Sequence, residues 1–188
     1  SLAFHFQSLH AVSEQRVEFS EDRALIEVES EGFATFSGAS SAVYKIGEKR
    51  HRIGTSGSQL LGDIRTSTVA TPFGDADLMQ ATYGRSDAPF QYTLKVKRLK
   101  DINAFTVQAL IHNRSSAAIR LEAFDLFDAR KGSGGALDVA NPAEWLITPL
   151  MEDTKAFTYD VAEKRLNESA LFQSPSGDGF LVGPVGPA

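Results

Sequence analysis

The residue types that could perform catalysis or bind a metal are few in this chain and widely spaced. The four histidines are His5, His10, His51 and His112, and there is no cysteine. No two histidines have the i, i+4 spacing that places two imidazoles on one helix face, and none forms a His-x-His pair. The absence of cysteine excludes thiolate chemistry, disulfides and Cys-ligated metal sites. The sequence therefore predicts no metal site and no other cofactor, and it places the histidines at the surface or rim of the fold.

Two glycine-rich strings have the composition of a nucleophile turn or a phosphate loop. The string Gly54-Thr55-Ser56-Gly57-Ser58 lacks the Gly-x-Ser-x-Gly spacing that presents a serine nucleophile on a strained turn. The string Lys131-Gly132-Ser133-Gly134-Gly135 lacks the Gly-Lys-Ser/Thr ending of a phosphate-binding loop, and no clear helix pattern follows it. Both strings are interpreted as loops, and no catalytic residue is predicted.

Chemistry on sugars would need paired carboxylates, and binding of sugars often uses a flat apolar ring. The chain has 24 acidic residues, so spacing alone selects no catalytic pair, and Glu27 and Glu29 look like part of a solvated strand face. Trp145 is the only tryptophan, and it lies beside Glu144 in an irregular, polar segment. Packing in the core is the commoner role for such a ring. If the chain contacts sugar, however, we predict that Trp145 does so, with Glu144 as a polar neighbour.

The elements that must position these residues are β-strands, because short β-type runs separated by turn residues dominate the chain. Residues 92–96 alternate polar and apolar, which is the period of a half-buried antiparallel strand within the run 91–99. The runs 104–111 and 118–127 are two more strands, joined by a predicted hairpin turn at 113–116. Further strands are predicted at 24–29, 42–46, 63–71, 158–161 and 179–182.

Strand signals that recur roughly every 8–14 residues are typical of an all-β sandwich or barrel. We therefore predict a large, mostly antiparallel β-sandwich whose core is filled by the 13 phenylalanines and the other aromatic residues. Helix signals are limited to 141–147, where Asn141 and Pro142 match a helix start, and to one more turn within 160–166. At most one or two short helices are expected.

Length and composition predict a single globular domain over residues 1–188, with 42% apolar and 23% charged residues. A net charge of −5 and a pI near 5.4 argue against a nucleic-acid partner. No apolar run approaches the roughly 20 residues of a membrane-spanning helix. A soluble protein is expected, and nothing in the sequence distinguishes a cytoplasmic from an exported one.

Three segments, in chain order, are similar to one known arrangement. In the first segment, Thr71–Met79, the string Pro72-Phe73-Gly74 precedes a strand. In the second segment, 90–127, the strand Phe105–Ile111 is followed by the turn string Asn113-Arg114-Ser115 and then by the next strand. The third is 170–183, which looks like a last β-hairpin. Together they resemble the N-terminal β-domain of α-galactosidase-like glycoside hydrolases (family 36 and its relatives), a large sandwich of the galactose mutarotase-like type.

The resemblance implies a non-catalytic accessory domain. In that family both catalytic aspartates lie in a (β/α)₈ barrel, which would begin after Ala188. The apolar strand and Gly/Pro turn at 179–188 agree with a domain boundary there, and so with a piece of a longer enzyme. The implied role is to brace the barrel and help shape the sugar pocket. The expected partners are that barrel, a carbohydrate and a second copy of the chain, with no nucleic acid and no membrane.

Two alternatives remain open. One is a free-standing carbohydrate-binding or mutarotase-like protein; such epimerases carry a catalytic histidine on the strand after the Asn-x-Ser turn, but 119–127 contains none. His112, upstream of the turn, would then have to lie in a concave pocket with a carboxylate. The other alternative is a structural or interaction β-domain with no role in sugar binding, which predicts an exposed apolar patch and a dimer.

Overall fold

The structure is a computed structural model in which two compact units are distinguished, 1–137 and 138–188. The residues it describes are 15–30, 34–54, 57–100, 104–129, 132, 134–139, 144, 146–149, 159–160, 170–173 and 179–182. Most of them are in β-strands and none is in an α-helix, which confirms the all-β prediction. Among them, no helix is long and apolar enough to cross a membrane.

The first unit contains two antiparallel sheets that share one core. The strands of the first sheet are β1 (Gln15–Phe19), β2 (Leu25–Ser30), β3 (Ala34–Ile46), β4 (Lys49–Ile53), β10 (Ile119–Asp128) and β11 (Ala136–Val139), the last of which includes the boundary between the two units in the chain. The strands of the second sheet are β5 (Gln59–Leu60), β6 (Arg65–Thr71), β7 (Gly74–Gly84), β8 (Phe90–Leu99) and β9 (Ala104–Asn113). The first sheet follows the order β1-β2-β3-β10, with β4 and β11 also paired to β3. In the second sheet β7 pairs with β8 on one side and with β5 and β6 on the other, and β9 pairs with β8.

The second unit contains a smaller antiparallel sheet. Its strands are β12 (Leu146–Pro149), β13 (Tyr159–Asp160), β14 (Ala170–Gln173) and β15 (Gly179–Val182), in the order β13-β12-β14-β15. Of the segment 141–147, predicted to form at most a short helix or turn, Glu144 lies in a 3₁₀ turn, but Leu146 and Ile147 are in a strand and pair with Gln173 and Phe172 of β14. Pairing with β14 stabilises a strand at these apolar residues, and it outweighs the helix-start signal of Asn141 and Pro142. The turn predicted within 160–166 lies outside the described residues except for Asp160, which is in β13.

The core of the first unit lies between its two sheets. Alternate residues of β8 (Phe90, Tyr92, Leu94 and Val96) are fully buried, as the period-2 pattern predicts. The Phe90 ring stacks on the Tyr44 ring of the opposite sheet, with 4.6 Å between ring centroids. Each such side chain contributes roughly 1.5–3 kcal/mol by leaving water.

Two buried tyrosines keep their hydroxyls paired inside this core. Tyr92 Oη donates to Ser58 Oγ over 3.2 Å, and Tyr83 Oη donates to the Ser20 carbonyl over 2.6 Å. Burial raises the pKa of Tyr92 to about 12 and raises that of Tyr83 as well, because a buried phenolate loses its hydration. Both phenols therefore remain protonated donors near neutral pH.

The turn predicted at 113–116 exists, but it does not close a hairpin. Asn113 Oδ1 accepts the Ser115 N–H over 3.0 Å, and Asn113 Nδ2 donates to the Ala117 carbonyl over 2.8 Å, as expected of an Asx turn. The strands on either side enter different sheets, β9 pairing with β8 and β10 with β3. The turn therefore carries the chain from one layer of the sandwich to the other.

Candidate functional site

The site residues proposed from the sequence are not brought together in the part of the chain that the structure describes. Trp145 lies outside the described residues, and Glu144 is exposed. His112 is exposed on β9, where its Nε2 lies 2.8 Å from Thr93 Oγ1, which in turn lies 2.8 Å from Thr82 Oγ1. These three side chains form a line of hydrogen bonds across the second sheet. The partner seen for His112 is a hydroxyl, whereas the epimerase alternative would need a carboxylate.

Of the other three histidines, the structure describes only His51. His51 lies on β4, half buried, with its ring stacked on Tyr44 at a centroid distance of 5.2 Å. His5 and His10 lie outside the described residues. Among the residues described, no group of three histidine or acidic side chains could hold a metal ion.

A cleft of about 770 Å³ opens between the two sheets of the first unit. Its walls come from β1 and β2 on one side and from β6, β7 and β8 on the other, and most of the lining residues are polar or charged. The charged lining residues are Arg16, Glu18, Glu29, Asp77 and Arg98, and the hydroxyl-bearing ones are Thr66, Ser67 and Thr68. Its volume lies within the range of about 300–1,000 Å³ usual for small-molecule sites.

One wall of this cleft contains a row of three polar side chains set by strand register. Thr68 of β6 is directly opposite Asp77 of β7, and Asp77 is directly opposite Arg98 of β8. Directly opposed residues lie on one face of a sheet, about 4.5–5.5 Å apart at Cβ. A hydroxyl, a carboxylate and a guanidinium therefore follow one another across the sheet, and we call these three residues the polar row.

The polar row remains charged near neutral pH. Arg98 Nη2 donates to Asp77 Oδ2 over 3.0 Å, and Lys100 Nζ lies 3.0 Å from Asp77 Oδ1. The hydrogen bond from Arg98 and then that from Lys100 hold the pKa of Asp77 below its usual range. The opposite wall contributes an ion pair between Arg16 and Glu18. These groups can exchange hydrogen bonds with a bound molecule, but neither Asp77 nor Arg98 can give up a proton near neutral pH.

Sequence reasoning missed this cleft because register and sheet packing create it. Asp77 and Arg98 lie 21 positions apart in the chain, and Arg16 lies on a strand of the other sheet. The only local sign is the Thr/Ser-rich composition of 66–68, which by itself predicts no more than part of a strand.

Comparison with known proteins leaves the family question open. No family model, no curated protein and no solved structure matches the chain. The likeness to α-galactosidase-like N-terminal domains therefore stays a prediction, and the functional argument rests on this chain's own residues.

Proposed function

We propose that this chain is a non-catalytic accessory domain of a carbohydrate-active enzyme, most closely of the α-galactosidase-like hydrolases, and that it binds sugar hydroxyls in the cleft. The observation that carries the proposal is the polar row Thr68–Asp77–Arg98. The resemblance of Thr71–Met79 and 90–127 to that family supports the same assignment. In this role the domain would brace a catalytic barrel in the same polypeptide and add contacts at one side of its sugar pocket.

The chemistry of the row suits a polyol. A carboxylate accepts hydrogen bonds from two hydroxyls, a guanidinium donates several from a planar fork, and a threonine hydroxyl can do either. Val17 and Met79 add apolar surface to the same cleft, against which the carbon face of a sugar ring could lie. A few polar groups placed beside apolar ones are the usual composition of a small-molecule site.

The same groups argue for binding rather than catalysis. Glycoside hydrolysis and anomeric proton transfer both need a group that is protonated near the working pH and can release that proton. The pKa of Asp77 is lowered, so this carboxyl is a poor general acid. Arginine side chains remain protonated throughout the physiological range. The cleft therefore has groups that can hold a sugar and lacks, in the polar row, a group that could protonate a leaving oxygen.

We expect Asp77→Asn to weaken binding of a galactose-containing oligosaccharide by roughly tenfold. Hydrogen bonds to a charged group contribute about 1.5–3 kcal/mol, and the amide keeps the shape while losing the charge. The measurement is isothermal titration calorimetry of both proteins with the same sugar. The matched control is Asp87→Asn, because Asp87 is also paired with an arginine, Arg85, but lies in the β7–β8 connection outside the cleft. Equal losses in the two variants would contradict the assignment of the cleft.

A second function, an interaction domain, is favoured by the character of strand β9. Edge strands usually carry charges, prolines or bulges that block pairing with other chains. β9 pairs with β8 along its whole length without a register shift, and it contains no charged residue, proline or glycine. Leu110 and Ile111, on its two faces, are 38% and 40% exposed. By contrast, β10 has two register shifts and β4 carries Lys49, Arg50 and Arg52.

If β9 pairs with β9 of a second copy, the protein is a dimer and Leu110→Lys raises its dissociation constant by more than about tenfold. A charged side chain on the edge is one of the devices by which natural sheets prevent such pairing. Analytical ultracentrifugation over a concentration series measures the dimer dissociation constant of both proteins. Phe73→Lys is the control, since Phe73 is 67% exposed but lies in the β6–β7 turn. A monomer at all concentrations would rule out this second function.

A further inference from the structure

The outer face of the first sheet carries a row of directly opposed cations. Lys45 of β3 is opposite Arg50 of β4 on one side and opposite Arg120 of β10 on the other. Arg52 lies on the same face of β4, two residues beyond Arg50, and is opposite Val43. We call Lys45, Arg50, Arg52 and Arg120 the cationic face.

Two carboxylates reach this face: Asp125, which is opposite Ser41 of β3, and Glu122, which a β-bulge places beside the cations. The register of β10 against β3 shifts between Leu121 and Ala123, so Glu122 is the extra residue of the bulge. Its side chain bridges two of the cations, with Oε1 3.2 Å from Lys45 Nζ and Oε2 2.7 Å from Arg50 Nε. The hydrogen bond from Lys45, together with that from Arg50, lowers the pKa of Glu122, so this carboxylate is charged near neutral pH.

The face keeps a net positive charge even with Glu122 and Asp125 in place. Four cations and two carboxylates leave a local excess of two positive charges, in a chain whose net charge is −5. Directly opposed like charges destabilise a sheet. Arg52 and Arg120 are exposed, and no ion pair to either is seen within the described residues. The described residues therefore show no ion pair by which these two guanidinium groups would stabilise the first unit.

We propose that the cationic face binds an anionic polysaccharide, through the carboxylate or sulfate groups that such polymers carry at regular intervals. Guanidinium groups bind both anions with paired, parallel hydrogen bonds. The small residues between the cations, Val43 and Ala123, leave the face flat, so an extended chain can lie across three strands. This site is on the outside of the sandwich, and it does not depend on the cleft or on the function proposed for it.

A nucleic acid is a less suitable ligand for the cationic face than an anionic polysaccharide. The residues placed among the cations by the register (Val43, Ala123 and Glu122) include no aromatic ring on which a base could stack. A flat, multi-stranded face also cannot enter a DNA major groove, which admits a helix or a two-stranded ribbon. Duplex DNA therefore serves as the competing ligand in the test.

The test measures binding of heparin, which carries sulfate, and of polygalacturonate, which carries carboxylate, at low ionic strength. We expect binding of at least one polymer, falling steeply with added salt, and about fivefold weaker for the double variant Arg52→Gln/Arg120→Gln. The control Arg23→Gln/Arg65→Gln removes the same charge from exposed positions on other parts of the first unit and should leave the affinity unchanged. Whichever polymer binds more tightly identifies the anion.

A second pair of variants tests whether removal of a negative charge from the cationic face increases its affinity for the polymer. Glu122→Gln removes the carboxylate that bridges Lys45 and Arg50, so it should tighten polymer binding about two- to threefold. Glu27→Gln changes the net charge equally at an exposed position of β2 and should have no effect. Failure of both polymers to bind, equal weakening in the Arg23/Arg65 control, or equally tight binding of duplex DNA would overturn the proposal. Asp77→Asn should not alter polymer binding, which separates this site from the cleft.

Discussion

Phe90→Ala lowers the free energy of unfolding by about 3–5 kcal/mol, the range for truncating a buried phenylalanine. Phe90 is fully buried and contacts rings from both sheets. Its centroid lies 4.6 Å from that of Tyr44 in the first sheet and 6.1 Å from that of Tyr92 on its own strand. Alanine would leave a cavity between sheets that are held apart by their other side chains, so little collapse can compensate. Urea unfolding followed by circular dichroism measures the loss.

Phe73→Ala is the matched control for this prediction. It is the same substitution at a residue that is 67% exposed, in the turn between β6 and β7. The expected change is within about 0.5 kcal/mol, as for surface positions generally. Comparable losses in the two variants would mean that Phe90 does not lie between two packed sheets, and the sandwich description of the first unit would be wrong.

Gly38→Ala destabilises the first unit by about 1–3 kcal/mol, as expected for overpacking. Gly38 is buried on β3, and a Cβ built there would overlap Cγ, Cδ2 and Cε2 of the Phe127 ring. Cγ is fixed near the β10 backbone, so the ring cannot move away without leaving its rotamer or shifting the strand. The glycine therefore provides the space in which Phe127 crosses the sheet, and chemical denaturation measures its removal.

Two further variants separate this steric effect from a general effect of replacing glycine. Gly54→Ala puts the same methyl group where nothing lies within 4 Å, and it should be neutral or stabilising by up to about 1 kcal/mol. Combining Gly38→Ala with Phe127→Leu should cost less than the sum of the two single changes, because the smaller side chain vacates the contested space. Strict additivity would show that the two residues are not in contact.

Much of the fold follows from local pattern. The regular alternation in 92–96 predicts β8, and the Asn-x-Ser turn after residue 112 predicts the end of β9, because both signals depend on neighbouring residues alone. β3 is longer than predicted, extending from Ala34 rather than beginning near residue 42. Its first half is rich in glycine, alanine and serine, which have little β-propensity; it becomes a strand because β2 supplies hydrogen-bonding partners along it.

The two candidate binding surfaces could not be predicted in the same way. The cationic face depends on which residues stand opposite Lys45, and the cleft on which residue stands opposite Asp77; register is a property of the pairing rather than of either strand. The net charge of −5 also gave no indication of the cationic face, because a sum over the chain contains no information about how the charges are distributed on the surface. The pairing of β9 and β10 with different sheets was missed for a related reason, since an Asx turn at Asn113 suits a hairpin or a crossing between layers.

The most direct test of the proposed function is a two-dimensional NMR titration of the protein with a galactose-containing oligosaccharide, with the sugar spectrum followed over time. The proposal predicts saturable amide shifts concentrated at the polar row, Thr68, Asp77 and Arg98, with the sugar itself left chemically unchanged. It also predicts that Asp77→Asn abolishes most of these shifts at the same sugar concentration. Shifts centred instead on His112 and Thr93, together with faster interconversion of the sugar's anomers, would contradict it and identify an epimerase.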